Sequence, residues 1–484
     1  MKHICRTAVL LLVLLTVSAC AWAQWSSNPA QNLDLSNIAG ADQVQPKLLP
    51  LPDNTWSVSW FNNNPNDPPP HGYDVYYQRL DANGFEQFPH DGLQVAKLTL
   101  SSTEDYGLAV DSSGAGIIAF LDDRRNPNNP QVTAMKISRT GGEIWGPNGI
   151  ALTNDPGSHN DPKVTVTSDG FIVVGWTNGS AIQLQKLTTS GLPLWPGLTA
   201  LGRGKLIQEA GYNYTLADLH AGDNGSVIVS WVRNHGFGTS NYLYANKLDR
   251  NGNLLWGSSH VHVFDGGSLQ FGEFPYFTPD GSGGAVFSWY SNSPSLQVYA
   301  QHILADGSEA FPHNGSVGST NAQRIRVSPS VSYNPATQET FLFWTEQNSL
   351  QSMAGVWGQK FNSSGTRQWT DTGLTIVPLN NDSENWVENV QIGTGALVFW
   401  VDSPGFGTGT IQAIKLDGTG STICSQFPVS SASSDKSRLA AGLAPSGLAA
   451  LAWEDDRNGE NDIYVQNVNP DCSLGIEGEL QARR

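Results

Sequence analysis

A short β-rich run that ends in an aromatic residue recurs along the whole chain, as in Ser57–Trp60 and Val173–Trp176. The eight closing aromatics are Trp60, Phe120, Trp176, Trp231, Trp289, Trp344, Trp400 and Trp453. Their successive separations are 60, 56, 55, 58, 55, 56 and 53 residues. A period this regular indicates an architecture assembled from similar units that stack on one another.

Each unit contains the same four segments, here named strands a to d. A turn rich in Asp and Gly (Ser168–Gly170) joins a strand a such as Pro162–Val166 to strand b, which carries the aromatic. Strand c, for example Asp74–Leu80, follows a variable loop, and a second turn (Asp81–Gly84) leads to strand d. Such turns connect antiparallel strands. Four antiparallel strands per repeat form the blade of a β-propeller, so we predict an all-β fold whose repeat aromatics pack between blades.

The two ends of the chain determine the number of blades. The last unit supplies strands a, b and c over Arg438–Val468 but lacks strand d, and Asn32–Asn37 resembles the missing strand. We therefore predict an eight-bladed β-propeller of four-stranded blades over residues 24–475. An N-terminal strand that joins the C-terminal blade closes the ring and leaves no open sheet edge at the seam. Residues 476–484 form a short polar tail.

The N-terminal residues have the features of an export signal. Lys2 and Arg6 precede the apolar run Ala8–Ala19, which is too short to span a bilayer as a helix. Cleavage after Ala23 would remove residues 1–23 and release a soluble protein, whereas the sequence up to Cys20 resembles a lipobox and would make Cys20 a lipidated first residue. We favour the soluble route, with a membrane-anchored lipoprotein as the alternative.

Two cysteines remain after such cleavage. Cys424 takes the aromatic position after the c–d turn of unit seven, and Cys472 lies in the matching turn of unit eight. The two residues therefore belong to one face of neighbouring blades. In an oxidising compartment they could form a disulfide, and the alternative is two independent, partly buried small residues.

The loops divide the predicted ring into two unlike faces. The a–b and c–d turns share one face and are nearly identical, whereas the b–c and d–a loops share the other face and vary. Because binding residues concentrate on variable loops held by a rigid scaffold, we place the candidate binding surface on the b–c/d–a face.

Two acidic clusters with arginine lie in b–c loops of that face. Their members are Asp122, Asp123 and Arg124 in unit two, and Asp455, Asp456 and Arg457 in unit eight. Carboxylate oxygens of this kind could bind a sugar or a cation. The structural alternative, which the recurrence at one repeat position favours, is an Asp–Arg pair that holds each loop against its own blade.

No catalytic constellation is evident. The ten histidines are scattered, and no His-Glu-x-x-His, nucleophile-elbow or phosphate-loop spacing occurs. We therefore assign no catalytic residue, no metal site and no cofactor. The formal net charge of −17 at pH 7 repels nucleic acid and anionic membranes, so we expect neither as a partner unless Cys20 is lipidated.

The segment Trp453–Gln466 carries the pattern Trp-x-Asp-x-Arg followed by Asp-Ile-Tyr-x-Gln, and elsewhere Asp-x-x-Gly-x-x-x-Trp completes it. This pattern resembles repeats in large secreted bacterial β-propeller proteins, over nearly the whole mature chain. The resemblance implies the fold and export, and that group has no uniform activity. The similarity to the Asp-box of sialidases is superficial, because the Ser-x-Asp-x-Gly-x-Thr-Trp order is missing.

These observations favour an exported, non-catalytic binding or scaffold propeller that binds carbohydrate or protein at the cell exterior. One alternative is a carbohydrate-active enzyme, a glycoside hydrolase or a lyase, which would need carboxylates or a Tyr/His/Arg set that converge at the central opening. Another is a surface adhesion or structural lipoprotein. A closed ring needs no partner for stability, so we expect a monomer.

Overall fold

The computed structural model describes residues 24–476, apart from 64, 66–71, 101–104, 197–203 and 294. The predicted signal segment 1–23 with Cys20, and nearly all of the predicted tail, lie outside the described residues. The cleavage route, lipidation and domain limits therefore stay predictions.

The first half of the described chain forms the strands of blades 1 to 4 and the first strand of the seam. These are Leu33–Ser36 (β1), Asp42–Pro50 (β2), Trp56–Asn63 (β3), Tyr73–Leu80 (β4), Leu93–Ala96 (β5), Gly107–Val110 (β6), Gly116–Asp122 (β7), Gln131–Ile137 (β8), Ile150–Ala151 (β9), His159–Val166 (β10), Ile172–Asn178 (β11), Ala181–Leu187 (β12), Lys205–Ile207 (β13), Asn213–Ala221 (β14), Val227–Asn234 (β15), Tyr242–Leu248 (β16) and Val261–Phe264 (β17).

The second half forms blades 5 to 8. Its strands are Ser268–Leu269 (β18), Phe277–Pro279 (β19), Ala285–Ser293 (β20), Gln297–Ile303 (β21), Ser316–Val317 (β22), Arg324–Asn334 (β23), Glu339–Asn348 (β24), Ala354–Phe361 (β25), Leu374–Asn380 (β26), Ser383–Ile392 (β27), Gly395–Ser403 (β28), Gly409–Leu416 (β29), Thr422–Ser434 (β30), Lys436–Leu443 (β31), Ala449–Asp455 (β32) and Asp462–Val468 (β33).

The strands assemble into eight antiparallel sheets, which confirms the predicted eight-bladed propeller. Blades 1 to 8 are, in chain order, β2–β5, β6–β9, β10–β13, β14–β17, β18–β22, β23–β26, β27–β30, and β31–β33 with β1. The N-terminal β1 pairs antiparallel with β33, so Leu33 lies opposite Val465 and closes the ring as expected. Blade 5 departs from the pattern, because β18 and β19 both pair with β20 and its strand a is divided by residues 270–276.

The hydrophobic core consists of eight clusters, one between each pair of neighbouring blades. Every repeat aromatic belongs to the cluster between its own blade and the preceding one. Trp60 thus packs at the seam with Leu33 and Leu35 of the N-terminal segment, and all eight aromatics are fully buried. The prediction that these residues form the inter-blade packing layer is confirmed.

A recurring amide on strand c explains part of the repeat pattern. In blade 1 the backbone N–H of Phe88 donates to Gln78 Oε1 at 3.0 Å, and in blade 3 that of Trp195 donates to Gln185 Oε1 at 3.0 Å. The amide thereby fastens the chain that follows the c–d turn. At the seam Trp25, which the sequence analysis did not single out, donates from Nε1 to the carbonyl of Ala82 at 3.0 Å.

Of the two alternatives for the cysteines, the structure shows the disulfide. Cys424 in β30 and Cys472 after β33 are bonded, and they link blades 7 and 8 over a sequence separation of 48 residues. A disulfide indicates an oxidising, extracytoplasmic environment. In the part of the chain that the structure describes, no helix is long and apolar enough to cross a membrane.

Candidate functional site

The inner strands of the propeller surround a central opening. Each strand a lies at one edge of its sheet and contacts the strand a of the next blade around the ring. One position of strand a lies opposite the residue that precedes the repeat aromatic, for example Lys47 opposite Ser59. We call the residues at this position the inner ring. They are Lys47, Gly107, Lys163, Asp218, Tyr276, Ser330, Glu388 and Ala440.

The inner ring varies in chemistry, whereas the neighbouring aromatic position does not. In six blades a β-bulge directly precedes the ring residue, as between Val44 and Lys47 or between Asn385 and Glu388. A bulge redirects the side chain that follows it. The frame therefore repeats, and the side chains presented at the opening are free to differ.

Charged ring residues from separate blades converge on Asp105, which lies in the d–a loop before β6. Lys47 Nζ is 2.9 Å from Asp105 Oδ1, and Lys163 Nζ pairs with Oδ2. The Tyr276 hydroxyl donates to the same Oδ2 at 3.0 Å. Because Tyr276 belongs to blade 5 and Asp105 to blade 2, this bond spans the central opening. The divided strand a of blade 5 makes this reach possible.

Asp105 and Lys163 carry fixed charges in this cluster, whereas burial lowers the pKa of Lys47 although the Asp105 carboxylate opposes the shift. Burial alone would raise the pKa of Asp105, but the Lys47 and Lys163 ammonium groups outweigh it and hold that pKa far below its usual range. Burial lowers the pKa of Lys163, yet the nearby Tyr276, Asp105 and Asp218 groups hold it above its usual value. Lys163 lowers the pKa of Tyr276, whereas burial and the two carboxylates raise it more. Asp105 and Lys163 thus stay ionised at neutral pH, and Tyr276 stays neutral.

A second titratable group lies across the ring. Glu388 is half-buried, and its Oε2 accepts a hydrogen bond from the Ser330 hydroxyl at 3.0 Å. Burial raises the pKa of Glu388 to about 7. Trp386 stands beside it at the bulge, 43% exposed, and the Arg438 guanidinium lies 5.9 Å from the Trp386 ring centroid. This side of the opening combines a proton-exchanging carboxyl with an exposed ring.

The two faces of the propeller differ in their exposed aromatic side chains. The described aromatics with large exposed fractions are Phe237, Phe271, Phe274, Tyr276, Trp386 and Phe406. All of them lie in b–c or d–a loops or at the adjoining end of strand a. The exposed large apolar residues near the c–d turns are aliphatic, for example Leu192 and Leu255. Exposed aromatic patches of this kind mark binding surfaces.

Two of these rings border a groove between blades 4 and 5. Phe237, 94% exposed, and Phe271 meet edge to face with ring centroids 5.8 Å apart. The groove has a volume of about 330 Å³, and its lining includes Asn234, Asn241 and Asn292. It therefore offers flat apolar surfaces beside amide donors and acceptors. A larger groove of about 590 Å³ lies at the turns of the opposite face, near Lys247 and Arg250.

The structure places the predicted cluster of unit two within its own blade. Asp122 is fully buried, and Arg124 binds both of its carboxylate oxygens at 2.8 Å. Asp123 accepts a hydrogen bond from the backbone N–H of Thr99 at 2.9 Å. These contacts match the structural alternative of a loop held against its blade. Ligand binding by Asp122, Asp123 and Arg124 stays a prediction.

The cluster of unit eight is engaged in the same way. Asp455 is fully buried, receives a hydrogen bond from Trp453 Nε1 at 2.8 Å, and pairs with Arg457 at 2.5 Å. Asp456 accepts the backbone N–H of Asp435 at 2.7 Å. A ligand at Asp455, Asp456 or Arg457 would compete with these bonds. Their role as ligand contacts likewise stays a prediction.

Comparisons with known proteins assign no family to this chain. No family model matches this sequence, and no curated protein matches it either. Among solved structures, a protein of unknown function from Dyadobacter fermentans DSM 18053 is 8% identical, covers 93% of this chain and 99% of that chain, and has a TM-score of 0.42. The polysaccharide lyase Uly1 is 11% identical, covers 92% of each chain, and has a TM-score of 0.47. The Dos1 propeller is 10% identical, covers 88% and 92%, and also has a TM-score of 0.47.

With TM-scores below 0.5, these similarities carry no inference about this chain. Within the described ranges, no group of three or more His, Cys, Asp or Glu side chains is placed to hold a metal ion. The functional interpretation therefore depends on the side chains of this chain alone.

We predict that Asp105→Asn lowers the free energy of unfolding by roughly 2–4 kcal/mol at neutral pH, because it leaves two neighbouring ammonium groups uncompensated. The folded-state pKa of Asp105 lies below the unfolded value of about 4. Its contribution is therefore complete above that pH and is lost as the pH falls further. Urea unfolding should show that the difference in the free energy of unfolding between wild type and variant is smaller at about pH 3 than at about pH 6.

The exposed pair of Asp53 and Arg139, 2.6 Å apart on the opposite face, supplies the control. Asp53→Asn should cost less than about 1 kcal/mol. Equal effects of the two substitutions would contradict a fixed charge cluster at the opening.

Proposed function

We propose that the protein is an exported carbohydrate-binding propeller whose ligand lies across the b–c/d–a face. The observation that carries this proposal is the restriction of exposed aromatic rings to that face. Sugar rings present flat C–H surfaces that pack on aromatic side chains, and their hydroxyls need amide or charged partners. The groove beside Phe237 and Phe271 combines both kinds of surface.

The charged cluster at the opening supports a binding role more than a catalytic one. General acid–base catalysis needs a group whose pKa lies near the working pH. Asp105, Lys163 and Tyr276 are each held away from that range. Their fixed charges and hydroxyl are instead suited to orient a polar ligand, in the way that a few placed polar groups give a mostly apolar site its specificity.

We predict that replacing both Phe237 and Phe271 with Ala weakens polysaccharide binding at least about fivefold, since each aromatic contact contributes about 0.5–1.5 kcal/mol. A panel of soluble plant, algal and bacterial polysaccharides in affinity gel electrophoresis, followed by calorimetry on the one retained most strongly, measures the effect. Leu192→Ala, which removes an exposed apolar side chain from the other face, is the matched control and should change nothing. The proposal is wrong if no polysaccharide binds, or if the control weakens binding as much as the aromatic variant.

A carbohydrate-active enzyme is a second candidate, and Glu388 is the observation that favours it. Its carboxyl has a pKa of about 7, and Trp386, two residues earlier on the same strand, has a ring that is 43% exposed. A carboxylic acid that stays protonated near neutral pH can act as a general acid toward a leaving oxygen. In this candidate Trp386 would position a sugar while Glu388 supplies the proton.

If the protein cleaves a polysaccharide, Glu388→Gln should reduce the rate at least about 100-fold, the typical contribution of a positioned acid or base, and leave binding intact. The wild-type rate should fall as the pH rises through about 7, because the acid form of Glu388 is then lost. Product release from the bound polysaccharide, followed by reducing-end and ultraviolet assays, tests this. An unchanged rate in the variant would exclude Glu388 as the general acid. If the wild type forms no product, carbohydrate binding is the only one of the two proposed functions that stands.

The proposal also includes the cellular compartment of the protein and the group of propeller proteins that it resembles. We infer release as a soluble protein after Ala23, with a lipoprotein anchored through Cys20 as the alternative, and kinship with secreted bacterial propeller repeats. The disulfide between Cys424 and Cys472 supports export. A lipid-anchored form would fit the surface adhesion or scaffold role that the sequence leaves open.

A further inference from the structure

A buried triad recurs beside the repeat tryptophan in blades 6 and 8. The residue two positions after the tryptophan is acidic, and its carboxylate accepts the indole N–H. Trp344 Nε1 donates to Glu346 Oε2 at 2.8 Å, and Trp453 Nε1 donates to Asp455 Oδ2 at 2.8 Å. Both carboxylates are almost completely buried.

The third member of each triad is a cation on strand a. Arg326 lies directly opposite Glu346 in the sheet, with Nε 2.9 Å from Oε2. Lys436 lies directly opposite Asp455, with Nζ 3.3 Å from Oδ2. An ionised carboxylate buried without a counter-charge is strongly destabilising. The cation therefore makes an acid at this position tolerable.

Blade 2 satisfies the same requirement with a cation from its b–c loop. Asp122 follows Phe120 by two residues, and Arg124 binds it through two hydrogen bonds. Three of the four acids at this repeat position thus have a cationic side chain as partner. The fourth is Asp402, two residues after Trp400 in blade 7.

Blade 7 has a second acid where blades 6 and 8 place the cation. Glu384 lies directly opposite Asp402 in the sheet and is 1% exposed. Its Oε1 accepts a hydrogen bond from Asn380 Nδ2 at 2.9 Å, but its Oε2 is buried without a partner. Asp402 Oδ1 and the Trp400 indole N–H are buried without partners as well. Four other repeat tryptophans also have unpartnered indole nitrogens, so the two carboxylate oxygens are the significant observation.

The two carboxyls lack a counter-charge within the described residues. Burial, Asp402 and Asp382 raise the pKa of Glu384 to about 7, although the Asn380 hydrogen bond opposes the shift. Burial and Asp382 raise the pKa of Asp402. Two facing carboxyls with buried, unpartnered oxygens lack the charge that a cation would supply, and a bound cation would compensate them.

We propose that a calcium ion binds between Glu384 and Asp402, at the position that the Lys436 and Arg326 cations fill in blades 8 and 6. Hard carboxylate oxygens are the ligands that calcium prefers, and calcium tolerates an irregular shell completed by water and backbone carbonyls. With two carboxylates, the site belongs with extracellular calcium modules whose dissociation constants are about 10⁻⁴ to 10⁻³ M. The sequence analysis predicted no metal site, and this inference replaces that expectation independently of carbohydrate binding.

The full mature protein, stripped with chelator and held at about pH 8 so that both carboxyls are ionised, provides the test. Calcium chloride up to about 10 mM, roughly tenfold or more above the expected dissociation constant, should raise the unfolding temperature by at least about 1 °C. Isothermal titration should show one site per chain. Glu384→Gln and Asp402→Asn should each remove both responses, whereas Asp371→Asn, at a carboxylate 79% exposed in blade 6, should retain them.

Glu384→Lys gives the sharpest readout, because it rebuilds the blade 8 arrangement within blade 7. This variant should unfold at a higher temperature than wild type without calcium and should no longer respond to calcium. Should Glu384→Gln fold poorly, the lysine variant and Asp402→Asn still decide the question. A wild type that ignores calcium while its stability rises with acid would show that the pair shares a proton, and a calcium response that survives in the lysine variant would place the ion elsewhere. Either result overturns the proposal.

Discussion

The packing of one aromatic residue per blade against the preceding blade is the interaction on which this structure depends. Eight buried rings, from Trp60 at the seam to Trp453 in the last blade, fill eight equivalent interfaces. Burial of a large aromatic side chain contributes several kilocalories per mole and requires a fixed distance between sheets. That requirement explains the constant spacing in the sequence, the need for β1 to complete blade 8, and the disulfide that fastens blades 7 and 8.

A frame fixed in this way leaves other positions free to vary. The inner ring residue differs in almost every blade. The strand b opposite it keeps the buried repeat aromatic that maintains the fold. The acid–cation pairs beside the tryptophans also vary, and blade 7 carries two acids where blades 6 and 8 carry an acid and a base. Both the opening with its Asp105 cluster and the Glu384–Asp402 pair are therefore departures from a repeating background. Departures of this kind are where a repeat protein carries function.

The fold could be predicted from the sequence because periodicity reports packing directly. The eight blades and the closure by Leu33–Ser36 followed from the repeat, and so did the placement of Cys424 and Cys472 on neighbouring blades, although the repeat left open whether the two are bonded. The charge cluster did not follow, because Tyr276 and Asp105 are 171 residues apart and meet only through the divided strand of blade 5. The signal was present in the varying residue opposite each strand b, and a register-by-register comparison of the repeats would have found it. The acidic clusters at Asp122 and Asp455 were predicted as ligand contacts because of their composition. In the structure their carboxylate oxygens accept hydrogen bonds from residues of their own blades.

The most direct test of binding on the b–c/d–a face is hydrogen exchange of the protein with and without the polysaccharide that it binds. We expect slower exchange in peptides that contain Phe237 and the 270–276 segment, and unchanged exchange in the c–d turns near Leu192 and Leu255. Those turns are exposed and equally able to report a ligand. Protection confined to the c–d turns would contradict the assignment of the b–c/d–a face as the functional surface.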